Sequence, residues 1–159
     1  MKIQIVCVGK IKEKFYRDAI AEYTKRLSRY CKLEILEVSD EPTPEKASEA
    51  VLEKILETEG ERILKQLKDS TYVIALAIQG KKLDSIQFSK MIEECEQKSG
   101  GCVAFIIGGS LGLHSSVLQR SQMQVSFSDM TFPHQLMRVI LTEQIYRGYR
   151  ILKKEPYHK

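Results

Sequence analysis

The sequence predicts an α/β domain on a mostly parallel sheet of five or six strands, with helices on both faces. Three observations carry this. Short apolar runs alternate with longer stretches of helical spacing, turn residues separate them, and 159 residues suit a single domain spanning 1–159. Parallel neighbours need crossover connections, and the intervening helices supply them.

The first strand is read at Ile3 to Val8, where Gln4 breaks the apolar run and charge resumes at Lys10, a pattern unlike a secretory leader. Phe15, Ala19, Tyr23, Leu27 and Tyr30 then recur at helical spacing. A second strand runs from Leu33 to Val38, and Pro42 and Pro44 precede a helix carrying Ala47, Val51, Ile55, Ile63 and Leu67. Gly60 lies inside that helical pattern and is expected to kink it or end it early. Tyr72 to Ile78 reads as the third strand with Gly80 breaking it. Ile86 to Cys95 is the next helix, and Gly100-Gly101 turns the chain into a fourth strand at Val103 to Ile107. A short helix near Ser115 to Arg120, a fifth strand at Met123 to Phe127 and a last helix from about Pro133 to Leu152 complete the series. That helix is apolar on more than one face: Met137, Leu141, Ile145 and Tyr149 form one row, and Leu136, Val139, Ile140 and Tyr146 broaden it. Either it is wedged deep in a monomer or a second copy covers it, and the width favours a two-fold homodimer.

Composition narrows the function classes. With 43% hydrophobic and 29% charged residues the chain is neither disordered nor fibrous, and its longest apolar runs are far below the roughly 20 residues that span a bilayer. Cys7, Cys31, Cys95 and Cys102 lack both the pairing of a zinc site and the density of a secreted scaffold, so reduced thiols and a cytoplasmic location are expected. Three His and no clustered Cys leave no ligand set for a metal. Charge is unevenly spread. Glu45, Glu49, Glu53, Glu57 and Glu61 form an acidic row at four-residue spacing, expected to face water. From Arg138 to the end, six cations face only Glu143 and Glu155, which suits either a helix C-terminus or a polyanionic partner.

Three segments offer chemistry. In Phe105 to His114 a glycine turn (Gly108, Gly109, Gly112) follows a buried strand, so that a ligand can lie against main-chain groups. The spacing matches neither a dinucleotide fingerprint nor a phosphate loop, and a plain turn remains the alternative. Between the fifth strand and the last helix, Phe127, Ser128, Asp129, Met130, Thr131 and Phe132 interleave polar and apolar residues, as the wall of a pocket for a flat ring or as a simple capping loop. His134, in the first turn of that helix, feels the positive end of the dipole and reads as a structural, neutral imidazole. The terminal Tyr157-His158-Lys159 is either a disordered end or a set of stacking, proton-handling and cationic groups suited to a nucleotide.

Taken jointly, Ile-Ile-Gly-Gly-Ser-Leu-Gly-Leu-His (106–114), Phe-Ser-Asp-Met-Thr-Phe-Pro-His-Gln (127–135), Arg138, Glu143-Gln144-Ile145-Tyr146-Arg147 and the terminal Tyr157-His158-Lys159 closely resemble the RlmH family of ribosomal RNA large subunit methyltransferases, in the SPOUT superfamily. The likeness runs the length of the chain; Leu111 and Lys159 depart from it, standing where relatives often carry a polar residue and an Arg. The resemblance implies a C-terminal trefoil knot and a homodimer that binds S-adenosylmethionine. It implies methylation of N3 of a pseudouridine in helix 69 of 23S rRNA on the assembled ribosome. It maps cofactor contacts to Leu76, Gly108 and Phe127 to Phe132, catalysis to Tyr157 and His158, and substrate binding to Arg138 and Lys159. On this reading His158 is a candidate general base for the imide proton, with Lys159 as an alternative stabiliser of the imide anion. Another RNA substrate such as tRNA, or a non-catalytic RNA-binding role, is the competing reading.

Overall fold

The computed structural model describes residues 1–159. Its elements, in chain order, are β1 (Lys2–Val8), α1 (Lys14–Leu27), β2 (Lys32–Val38), α2 (Glu49–Leu64), β3 (Tyr72–Lys82), α3 (Ser85–Lys98), β4 (Cys102–Ile107), α4 (Ser115–Arg120), β5 (Met123–Ser126) and α5 (His134–Leu152). The five strands form one sheet in the order β2-β1-β4-β3-β5, and every neighbouring pair is parallel. The expected alternation is therefore present, with the sheet wholly parallel.

Central strands of a parallel sheet are buried on both faces and need apolar side chains on each. β1 meets this with Ile3, Ile5 and Cys7 on one face, in a core shared with Leu27, Phe88, Phe105, Leu141 and Ile145. Val6 and Val8 point to the other face, where Ile63 of α2 and Val117 of α4 close a smaller core. Helices α1, α3 and α5 thus cover one face, α2 and α4 the other.

Helix starts follow local chemistry. Ser48 caps α2 by accepting from the Val51 N–H, and Asp84 with Gln87 forms a reciprocal capping box at α3. Gly60 departs from expectation: α2 runs through it to Leu64. A Cβ there would lie 3.1 Å from His114 Cβ and 3.4 Å from Val117 Cγ2, so the missing side chain admits α4 rather than breaking the helix. Gly80 also differs, sitting within β3 where that strand slips register against β5 between Leu76 and Lys81. A Cβ at Gly80 would come within 2.7 Å of the Gln124 and Val125 main chain, so only glycine allows the two backbones to touch.

The strand order fixes the site. After β2 pairs on one side of β1, β3 is laid down on the far side of β4, and this reversal opens a crevice beyond the carboxyl ends of the strands. Helix α5 leaves the β5 edge and packs between α3 and α1.

Candidate active site

A crevice of about 440 Å³ opens at the carboxyl ends of β3, β4 and β5, within the size range of small-molecule sites. Three main-chain segments wall it: residues 76–79 from β3, residues 107–113 after β4, and the stretch after β5. Of the residues expected there, Leu76, Gly108, Phe127, Ser128, Met130, Thr131 and Phe132 line it. Asp129 does not: its carboxylate turns out to solvent and pairs with Lys82 Nζ at 2.5 Å. His134 and Met137, on the first turn of α5, join the wall. Sequence reading gave His134 only a structural role, although its place directly after the 127–132 run was the available signal.

The glycine turn is closed tightly. A Cβ on Gly108 would lie 2.4 Å from the Gly112 carbonyl oxygen, so glycine is required for the two limbs to meet. Gly112 itself adopts φ +85°, a region that favours glycine. Behind the turn, a Cβ on Gly109 would sit 3.2 Å from Val8 Cγ1 and 3.5 Å from Glu59 Oε1. Glu59 is buried, accepts the Glu41 N–H at 3.0 Å, and has its carboxyl pKa raised by that burial. It stands off the acidic row, most of which faces solvent as expected. His114 closes the turn on its far side, its Nε2 lying 2.7 Å from Glu53 Oε1 while its Nδ1 accepts from the Ser116 N–H.

No Asp, Glu, Lys or Arg lines the crevice. A cationic centre would meet carbonyl and hydroxyl dipoles there with no fixed charge to repel it, and the apolar wall suits a flat ring. Neighbouring side chains keep the ring walls in place: Phe127 stands edge-on to Phe88 with centroids 5.7 Å apart. Within the 127–132 loop the Ser128 hydroxyl accepts the Met130 N–H at 3.0 Å. His134 is held toward its neutral form by burial and by the Arg138 cation.

Arg138, expected at the substrate, is buried and held within the chain. Its side chain is 0% exposed, with Nη1 2.6 Å from Glu37 Oε2 and Nη2 donating to the carbonyls of Val8 and Gly9 at 3.1 and 2.7 Å. A cation on a core-facing position is kept because these three acceptors, at the ends of β1 and β2, compensate it. The effect is to tie the start of α5 to the loop after β1.

The terminal segment is ordered and folded back on α5. Arg150 Nη1 pairs with Glu155, and its Nη2 donates to the Pro156 carbonyl at 2.8 Å. The Tyr30 hydroxyl donates to Glu155 at 2.9 Å. The Tyr157 ring stands edge-on to Tyr146 at 4.9 Å, and its hydroxyl donates to Glu143 at 3.1 Å. No residue of this segment lines the crevice. The 19 residues of α5 rise over roughly 28 Å, with the crevice at the first turn, while the terminus turns back after the last turn and sets Tyr157 and His158 beside Glu143, Tyr146 and Arg147 at mid-helix. Lys159 is exposed at the end.

Residues 1–158 match a family described as "Predicted SPOUT methyltransferase". The chain is 57% identical to the Ribosomal RNA large subunit methyltransferase H of Clostridium botulinum, over 100% of both chains. It is 56% identical to the proteins of that name from Enterococcus faecalis and Streptococcus pneumoniae, again over 100% of both chains. Among solved structures it is similar to a probable methylase family protein from Haemophilus influenzae, with a TM-score of 0.54, 12% identity and coverage of 99% of this chain and 70% of that one, a likeness of fold.

Proposed function

The chain belongs to the SPOUT methyltransferase family, and on that premise we propose that it is a ribosomal RNA methyltransferase. It takes its methyl group from S-adenosylmethionine and delivers it to N3 of a pseudouridine in helix 69 of 23S rRNA on the assembled ribosome, in the cytoplasm. The observation that carries this reading is the crevice of about 440 Å³, walled by main chain and aromatic rings and free of fixed charge. The names of the relatives support the RNA substrate.

When bound, the cofactor supplies an electrophilic methyl group on a sulfonium. Leu76, Gly108 and Phe127 to Phe132 are the residues assigned to hold it, Asp129 through the loop main chain since its side chain faces away. Phe127 and Phe132 offer apolar walls, and no Lys or Arg lines the crevice to repel a positive centre. Orientation of reacting groups in such a cleft lowers a barrier by up to about 7 to 11 kcal/mol.

Tyr157 and His158 are assigned to the acceptor nucleotide, with Lys159 on its phosphates. Because Tyr157 and His158 pack on the middle of α5 and no residue of the terminus lines its own crevice, the terminus serves the crevice of a partner copy in a two-fold homodimer. The half-buried Leu136, Val139 and Ile140 on α5 support such a contact. The C-terminal trefoil knot belongs to the same reading, supported by the return of α5 across the sheet after the edge strand β5.

Calorimetry with S-adenosylmethionine, followed by mass-spectrometric mapping of methylated nucleotides on ribosomes incubated with the protein, tests the assignment. Saturable binding and N3 methylation in helix 69 are expected; absence of binding, or methylation of tRNA instead, overturns it. Mixed dimers test the shared site. One subunit lacking residues 156–159 combined with one carrying Gly108→Ala should recover about half the sites, and zero recovery opposes the arrangement.

A further inference from the structure

We propose that Glu143 and Arg147 are positioning residues that fix His158 as the tautomer protonated on Nε2, so that the terminus offers the acceptor nucleotide a hydrogen-bond donor and not a base. The inference rests on the reading that this terminus meets the RNA, and it assigns the chemistry the imidazole then performs.

The geometry is a short chain of contacts. Arg147 Nη1 lies 3.1 Å from His158 Nδ1. A guanidinium has five N–H groups and no lone pair to offer, so it donates and Nδ1 accepts. The single proton of the neutral imidazole then resides on Nε2, and His158 as a whole is exposed. Arg147 is not free to turn away. Its Nε and Nη2 both donate to Glu143 Oε1, at 3.0 and 2.7 Å, and its guanidinium covers the Tyr157 ring at 4.8 Å from the centroid. Glu143 and Arg147 are only 17% and 26% exposed, so water competes weakly for the pair. Tyr157 donates to the same carboxylate oxygen, and the Arg150 clamp on Pro156 holds the backbone just before it. Other charged or titratable groups facing the cluster are Tyr146 on α5 and Glu22, Tyr23 and Arg26 on α1, with Lys159 next in the chain.

Acting as base would require His158 to take a proton at Nδ1, the one lone pair it has, against a guanidinium already bound there. The Nε2–H is free to donate to an imide carbonyl flanking N3. In this scheme the N3 proton passes to hydroxide in solvent, giving water and an imide anion whose charge rests largely on its two carbonyl oxygens. His158 stabilises that charge. The N3 lone pair then forms the bond to the methyl carbon as the carbon–sulfur bond breaks, its electron pair returning to sulfur, and the two opposite charges are neutralised.

Two measurements on the full chain decide the matter. Nitrogen-15 NMR of the RNA-free protein should find neutral His158 protonated on Nε2 alone, with a minor Nδ1–H population appearing in Arg147→Met; protonation on Nδ1 in the wild type, or the same mixture in both proteins, overturns the proposal. Single-turnover methylation should keep rising with hydroxide above neutral pH, since the imidazole donates through Nε2–H in either protonation state. His158→Gln, which can donate near the Nε2 position but cannot act as a base, should cost no more than about tenfold. His158→Ala should lose about a hundredfold or more, as removal of one oxyanion donor does. If His158→Gln is as inactive as His158→Ala and the wild-type profile bends near neutrality, His158 is a base and the proposal fails. If the NMR result holds but His158→Ala is harmless at every pH, the terminus does not meet the acceptor, and the parent reading fails with it.

Discussion

Replacing Gly108 by Ala probes the crevice at its tightest point. The new Cβ would lie 2.4 Å from the Gly112 carbonyl oxygen, 2.7 Å from its carbon and 3.0 Å from Leu113 Cδ2, where ordinary contact begins at 3.4 Å. One limb of the turn must therefore move by about 1 Å, and the obstacle is main chain that cannot rotate out of the way. Overpacking of this kind costs about 1–3 kcal/mol, and a chain of this length loses about 2–4 °C per kcal/mol, so Tm should fall by about 2–12 °C. The same displacement moves the main chain assigned to the cofactor, and a shift of about 1 Å is expected to weaken binding on the order of a hundredfold, roughly 2.8 kcal/mol. Gly112→Ala is the control. Nothing lies within 4 Å of its Cβ, but its φ of +85° makes the change strained, at about 1–2 kcal/mol. It should lower Tm while leaving affinity within about tenfold. Scanning calorimetry gives the first quantity and titration with S-adenosylmethionine the second. Wild-type affinity in Gly108→Ala, or equal losses in both variants, refutes the idea that Gly108 is there to let the crevice wall close.

Arg138→Met removes a fully buried cation and leaves Glu37, which is about a third exposed and still accepts the Ile11 N–H. The loss should therefore lie near the lower end for broken buried pairs, about 3 kcal/mol, or a Tm lower by about 6–12 °C. Tm near the wild-type value would argue against the strut. The pKa of His134 is lowered in the fold from 6.5, so the unfolded chain binds its proton first and stability falls as pH drops through that value. His134→Gln should flatten the stability profile just below pH 6.5, and an unchanged slope there refutes the assignment. Glu59 has the opposite sign, since its carboxyl is raised from 4.5. The stability it allows is complete below that pH and erodes above it, so the Tm of Glu59→Gln should gain on wild type as pH rises through 4.5 and beyond. A gain that shrinks with rising pH contradicts the burial argument.

The local pattern of the chain carried much of the architecture. Short apolar runs bounded by turn residues, such as Val103 to Ile107, read as strands covered on both faces, the stretches between them have the spacing of amphipathic helices, and each expected element is present. Main-chain features of the site were legible for the same reason. A glycine cluster after a strand, and alternating Phe and hydroxyl residues before a helix, are consecutive in sequence and report their own backbone needs. What the sequence by itself determined was therefore the set of elements and the segments 108–113 and 127–132 that wall the crevice. Tertiary structure alone decided where charged side chains find their partners. Arg138 meets Glu37 from 101 positions away, Asp129 turns out to Lys82, and Glu59 lies behind Gly109 although it belongs to an acidic helix. His158 accepts from Arg147 because the terminus folds back. Periodicity reports which face of an element is apolar; the partner of a charge depends on which distant elements the packed sheet brings beside it, and that is a property of the whole fold.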